Sequence, residues 1–222
     1  MIKAILFDAA GTLIYLPRSV AWHYREVAAR HGVSVQEDIV TREFARAFKN
    51  AGARPATPGV PRPDDDKSWW RQIVQQVMKG SASPGADPWT ARGFDTFFED
   101  LYQHFAQPGV WELYPDVIAV LEHLRPRYKL GILSNFDRRL YPILENLRVR
   151  HFFDTITLSS EAGIDKPDPA IFHLALRTLG VTPAQAIMVG DHPDQDWRAA
   201  ESAGLQVVPV TAGVKLADVR AF

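Results

Sequence analysis

Four short stretches of this chain place reactive side chains beside turn residues. They are FDAAGTL with Asp8, Gly11 and Thr12, ILSNFD with Ser134 and Asn135, EAGIDKPDP with Lys166, and VGDHPDQD with Asp191 and Asp196. A carboxylate such as Asp8 becomes a nucleophile toward an electrophilic centre once its charge is partly neutralised. Gly11 permits a tight turn whose backbone N–H groups bind an anion. The hydroxyls of Thr12 and Ser134 can donate to substrate oxygens. Lys166 supplies a point charge for a phosphoryl or carboxylate group. Asp8 and Asp191 held close together repel one another, and a hard cation such as Mg²⁺ relieves that repulsion. Asp196 would then orient Lys166 or metal-bound waters.

These residues need a frame that brings four distant stretches together. KAILFD is a short apolar run ended by a turn signal, which predicts a buried strand. KLGILS (129–134), DTITLS (154–159), AIMVGD (186–191) and LQVVPV (205–210) predict four more. Between them, PDVIAVLEHLR (115–125) carries its apolar residues on one helical stripe, and PAIFHLALRTLG (169–180) opens with proline and closes on glycine. Alternating strands and helices of this kind predict a parallel α/β sheet covered on both faces. In such a sheet the C-terminal strand ends converge on one crevice, where all four stretches would meet.

Residues 17–108 interrupt the alternation with four segments of helical period: SVAWHYREVAARHG, EDIVTREFARAFKNAG, DKSWWRQIVQQVMKG and RGFDTFFEDLYQHF. The expected organisation is a core of residues 1–16 and 109–222, with 17–108 inserted as a helical cap above the crevice. GARPATPGVPRPDDD separates the second and third helices, and its Asp64-Asp65-Asp66 run reads as a solvated loop leading into a helix. Trp69, Trp70, Phe94, Phe97, Phe98 and Tyr102 read as the insertion's own core. His192, beside Asp191, is assigned no catalytic role.

The 222 residues carry a formal charge of −1, which leaves no electrostatic footprint for nucleic acid or an anionic membrane. There is no cysteine, so disulfides, thiolate catalysis and cysteine-ligated metal are excluded. No signal peptide or membrane span is evident, and a cytoplasmic protein acting on a small molecule is expected.

The four stretches, in this order, resemble the motifs of the haloacid dehalogenase-like hydrolase superfamily. Within it the chain is most similar to the members with an α-helical cap inserted after the first motif. The resemblance implies a Rossmann-like core and Asp8 as the nucleophile of a covalent aspartyl intermediate. It implies that Thr12, Ser134 and the backbone N–H of Asn135 hold the transferred group, that Lys166 neutralises it, and that Asp191 helps to hold Mg²⁺. In the family's phosphatases the position of Ala10 is an aspartate. Its backbone carbonyl serves the metal, and its side chain protonates the leaving oxygen and then activates water. Alanine keeps the carbonyl and lacks the acid.

The expected reaction is therefore Mg²⁺-dependent, phosphatase-like hydrolysis of a small phosphorylated metabolite, restricted to good leaving groups. A 2-haloacid dehalogenase needs no acid at this position, but Asp191 would set an unneutralised charge beside a halocarboxylate. A phosphonatase would need a cap lysine; Lys49 lies in that region, on a helix face already basic with Arg42 and Arg46. A non-catalytic binding protein of the same fold is the remaining alternative, and it has no need of the nucleophile that Asp8 provides.

Overall fold

In the computed structural model, which describes residues 1–81 and 91–210, the chain forms seven strands and nine helices among the described residues. The strands are β1 (Ala4–Phe7), β2 (Ile14–Tyr15), β3 (Glu112–Leu113), β4 (Lys129–Ser134), β5 (Thr155–Leu158), β6 (Ala186–Gly190) and β7 (Gln206–Pro209). The helices are α1 (Val20–Arg30), α2 (Glu37–Asn50), α3 (Lys67–Ser81), α4 (Ala91–His104), α5 (Val117–Leu124), α6 (Leu140–Asn146), α7 (Ser159–Ala162), α8 (Pro169–Leu179) and α9 (Ala199–Ser202). The expected membership of residues 211–222 in the core lies outside the described residues. No described helix is long and apolar enough to cross a membrane.

Five strands form one parallel sheet in the order β5-β4-β1-β6-β7. From β1 the chain builds outward to β4 and β5, then crosses back to place β6 and β7 on the other side. The reversal point lies between β1 and β6, the position where open α/β sheets bind ligands. Every residue of β1 is fully buried, with Ile5 and Phe7 in one apolar cluster and Ala4 and Leu6 in another. That alternation puts successive side chains on opposite faces, so the strand is covered on both. Helices α5 and α6 contribute to the first cluster, and α8 and α9 to the second. A two-residue antiparallel pair, β2 with β3, joins the start and the end of the long insertion. Strands this short carry no periodic signal, which is why the sequence does not announce them.

The chain divides into two compact units. One comprises Met1–Tyr15, Pro55–Asp65 and the described chain from Trp111 onward; the other comprises Leu16–Arg54 and Asp66–Val110. The second unit holds α1 to α4, packed around Tyr24, Val27, Val40, Ile73, Val77 and Phe97. Phe94, Phe98 and Tyr102 are in the same core, and Trp69 and Trp70 pack against it half-buried. Lys49 is exposed, as are Arg42 and Arg46, which pair with Glu43.

The acidic run departs from its expected character as a solvated loop. Asp66 is buried, and it pairs with Arg54 at 3.0 Å. Asp65 accepts hydrogen bonds from Ser160 Oγ and from the Arg138 N–H. The cause is the path of the preceding loop: Pro55–Asp65 leaves the helical insertion and packs within the sheet unit, which carries the acids onto structure.

Candidate active site

The register of the sheet brings the four stretches together. Phe7 lies opposite Ile132 on one side and Val189 on the other. The next residue, Asp8, donates its N–H to the Val189 carbonyl at 2.9 Å, so its side chain emerges beside the end of β6. Ser134 ends β4 and Gly190 ends β6, which places Asn135 and Asp191 in the loops on the same rim.

Lys166 is the centre of the arrangement. Its Nζ lies 2.7 Å from Asp8 Oδ1 and 2.5 Å from Asp196 Oδ1, with the lysine side chain only 2% exposed. Burial alone would strip the proton from such an ammonium, but the two carboxylates outweigh it and hold the Lys166 pKa above its ordinary value. The loop carrying it is tied down by Asn135, whose Oδ1 accepts from the Lys166 N–H at 2.7 Å and whose Nδ2 donates to the Lys166 carbonyl at 2.9 Å. Asn135 thus has a side-chain task that the motif alone did not suggest.

Asp8, Asp191 and Asp196 each offer an oxygen within 4.8 Å of the others, a group of acids that could hold a metal ion. Three carboxylates against one lysine leave an excess of negative charge. Burial, followed by repulsion from Asp8, pushes the Asp191 carboxyl above the usual carboxylate range, and the Thr12 hydroxyl partly opposes this by donating to it at 3.1 Å. An all-oxygen donor set with surplus charge suits a hard divalent cation such as Mg²⁺.

The glycines are required by close approach. Gly11 has φ +96°, and a Cβ there would sit 2.5 Å from Asp191 Oδ2. A Cβ on Gly190 would lie 2.4 Å from the Asp196 carboxyl group. The first turn differs from the open anion-binding turn expected of it. The Gly11 N–H donates to the Ile14 carbonyl and the Thr12 N–H to Ala9, because the chain closes a compact loop before β2. What Gly11 supplies here is room for Asp191.

Ser134, the last residue of β4, is 3% exposed. Ala10 is half-buried in the loop between Asp8 and Gly11 and brings no acid to the site. Asp196 lies on a π-helical turn, Pro193–Arg198, where its Oδ2 accepts from the His192 N–H at 3.0 Å. His192 Nδ1 accepts from the N–H groups of Asp194 and Gln195, so this ring caps the turn. Trp197 anchors the same turn by donating to the Gly190 carbonyl at 2.8 Å.

With this geometry in view, a family model described as haloacid dehalogenase-like hydrolase matches residues 2–204. The haloacid dehalogenase-like hydrolase domain-containing protein 3 of Bos taurus is 32% identical, covering 92% of this chain and 80% of that protein. The glyceraldehyde 3-phosphate phosphatase of Methanopyrus kandleri is also 32% identical, covering 96% of this chain and 85% of that protein. Among solved structures, a phosphatase of this class from Thermococcus onnurineus superposes with a TM-score of 0.68 at 23% identity, covering 99% of this chain and 96% of the other. Haloacid dehalogenases share the fold as well.

Proposed function

The chain belongs to the haloacid dehalogenase-like hydrolases, and we propose that it hydrolyses a small phosphorylated metabolite through Asp8 with Mg²⁺ bound. The observation that supports this most is the pairing of Lys166 with Asp8 inside a group of three acids. That combination presents a nucleophile, a fixed cation and a place for a second cation, all within one rim.

In this reading Asp8, Asp191 and the Ala10 carbonyl would hold the metal, which would supply charge neutralisation for the phosphoryl oxygens. Lys166 and the hydroxyl of Ser134 orient the phosphoryl group, with the Asn135 N–H; Thr12 joins them if its hydroxyl leaves Asp191. One Asp8 oxygen attacks phosphorus, the bond to the leaving oxygen breaks, and an aspartyl phosphate forms. Water then attacks that phosphorus, the bond from phosphorus to the Asp8 oxygen breaks to restore the carboxylate, and inorganic phosphate leaves with one proton of the water while solvent takes the other. Lys166, whose ammonium form the neighbouring carboxylates favour, stabilises charge on the phosphoryl group.

Ala10 sets the limit on substrate. General acid–base help at this position is typically worth 10²–10⁴-fold. Without it, esters of poor leaving groups react slowly, and acyl or aryl phosphates, whose leaving groups depart as stable anions, are favoured. The helical unit is the cap in this reading and the seat of substrate choice.

Ala10 also favours one second reading, halide displacement from a 2-haloacid, because halide leaves unprotonated. Asp191 counts against it, since its charge would oppose a halocarboxylate. One panel separates the two. Acetyl phosphate and p-nitrophenyl phosphate should be turned over with Mg²⁺ and lost with chelator. Release of chloride from L-2-chloropropionate that ignores chelator would overturn the proposal.

A further inference from the structure

The loop between α2 and α3 performs a task that no strand-end motif reveals. Its segment Pro55–Asp65 runs along α7 and the start of the loop that carries Lys166 and is stitched to them. The Thr57 N–H donates to the Gly163 carbonyl at 3.0 Å, Gly59 N–H to Ala162 at 2.8 Å, and Arg62 N–H to Ser160 at 2.8 Å. Gly163 has φ +66°, and a Cβ on it would lie 2.2 Å from the Val60 carbonyl oxygen and 2.3 Å from that of Thr57. The two backbones are therefore in contact along this stretch.

Arg62 ends the seam. Its side chain is 4% exposed, and it grips the carboxylate of Asp165 with two donors, Nη2 at 2.8 Å and Nη1 at 3.3 Å. The third direction of the guanidinium is also used, with Nε donating to the Pro55 carbonyl at 2.9 Å. A fork held at both ends fixes an orientation as well as a distance. Asp165 is the residue immediately before Lys166, and its carbonyl accepts from the Asp168 N–H at 2.9 Å. The Lys166 backbone is thus held between Asn135 on one side and Asp165, gripped by Arg62, on the other.

We propose that Arg62 is a positioning residue for the reaction, setting through Asp165 the place of the Lys166 ammonium beside Asp8. It touches none of the reacting groups itself. The proposal rests on the hydrolase reading for its kinetic consequence, while the positioning of the loop stands on geometry alone. A displacement of the order of 1 Å at a group that must meet a transferring phosphoryl can lower the rate about a hundredfold.

The test uses Arg62→Gln, Arg62→Lys, Asp165→Asn and the Arg62→Gln/Asp165→Asn double variant of the full chain, with p-nitrophenyl phosphate and Mg²⁺. The expected result is a kcat lower by about a hundredfold in Arg62→Gln with little change in KM. Asp165→Asn should match it, the double variant should be no worse than either single one, and lysine should rescue only in part. Amide hydrogen exchange at Lys166 and Asp168 should quicken in Arg62→Gln while Ile5 and Leu6 keep wild-type protection. Wild-type kcat in Arg62→Gln, or additive losses in the double variant, would overturn the kinetic claim. Equal loss of protection in β1 and at Lys166 would assign Arg62 to general stability and overturn it too. A wild-type protein that turns over nothing would refute the hydrolase reading instead, and the exchange comparison would still decide whether Arg62 holds the lysine loop.

Discussion

Replacing Lys166 by methionine isolates the charge balance of the site. Methionine matches the length and apolar stem of lysine, so packing changes little. What is removed is an ammonium 2.7 Å from Asp8 and 2.5 Å from Asp196, at a side chain 2% exposed. Leaving one partner of a buried ion pair without its counter-charge costs about 3–5 kcal/mol. Set against a typical total stability of roughly 5–15 kcal/mol, that is a large share. The carboxylates have one escape, which is to take up a proton. Burial and Asp8 already push Asp191 above the usual carboxylate range, and losing the lysine pushes the acids around it further. Native carboxyls with raised pKa values bind more protons than unfolded ones, so the variant regains stability as pH falls. Urea unfolding followed by tryptophan fluorescence, in chelator, should therefore show a deficit of about 3–5 kcal/mol at pH 8 and a smaller one at pH 5. Millimolar Mg²⁺ at pH 8 should restore part of it, because a cation that binds only the native state stabilises that state. A deficit below about 1 kcal/mol at pH 8, or one of equal size at both pH values, would refute the assignment of Lys166 as the counter-charge of these acids.

Two further outcomes follow from single residues. Ala10→Asp should raise the turnover of alkyl phosphomonoesters toward the 10²–10⁴-fold range of general acid–base catalysis and that of acetyl phosphate less, through water activation alone; an unchanged alkyl ester rate would show that the loop does not aim this position at the leaving oxygen. In the helical unit, His23 is 2% exposed and its Nδ1 lies 2.8 Å from His104 Nε2. Burial and the neighbouring His104 depress its pKa to about 4. Its unfolded form binds a proton near pH 6.5, so stability should fall as pH drops from there and level off near pH 4, by at most about 3 kcal/mol. Thermal unfolding across that range checks this, and a His23→Leu variant with an equally steep acid decline would assign the loss to other groups.

The five main strands were legible as short runs rich in apolar residues, and their register then dictates which residues meet. The placement of Asp8, Ser134, Lys166 and Asp191 was legible for the same reason, each lying at or just beyond a strand end or in a loop of one rim, with Asp196 on the helical turn that follows β6. Long-range side-chain and loop contacts were not. The Asn135 side chain locks the Lys166 backbone from 31 residues away, and Arg62 grips Asp165 across 103 residues. Nothing local marks either contact. Arg62 lies in a proline- and glycine-rich stretch that reads as an ordinary loop, and Asp165 is one of several acids near a helix start. The acidic run Asp64-Asp65-Asp66 misled for a related reason, since charge density predicts solvation and only tertiary structure supplies Ser160, Arg138 and Arg54 as partners.

The charges and the missing acid at Ala10 point in one direction when taken together. If the proposed function holds, a site with this surplus of negative charge binds a phosphate dianion only once cations offset it, so affinity for substrate and affinity for metal are coupled. Reciprocity then requires that phosphate, or a phosphoryl mimic such as tungstate, tighten Mg²⁺ binding by the same factor that Mg²⁺ tightens the anion. On the proposed function this coupling resides in Asp8, Asp191, Asp196 and Lys166 with the Ala10 carbonyl, while the side chain at position 10 bears only on the proton. Binding and turnover are thereby separable: a poor leaving group should occupy the site as well as a good one and act as a competitive inhibitor. On the proposed function, alanine at position 10 makes an ordinary phosphate ester a ligand that turns over slowly.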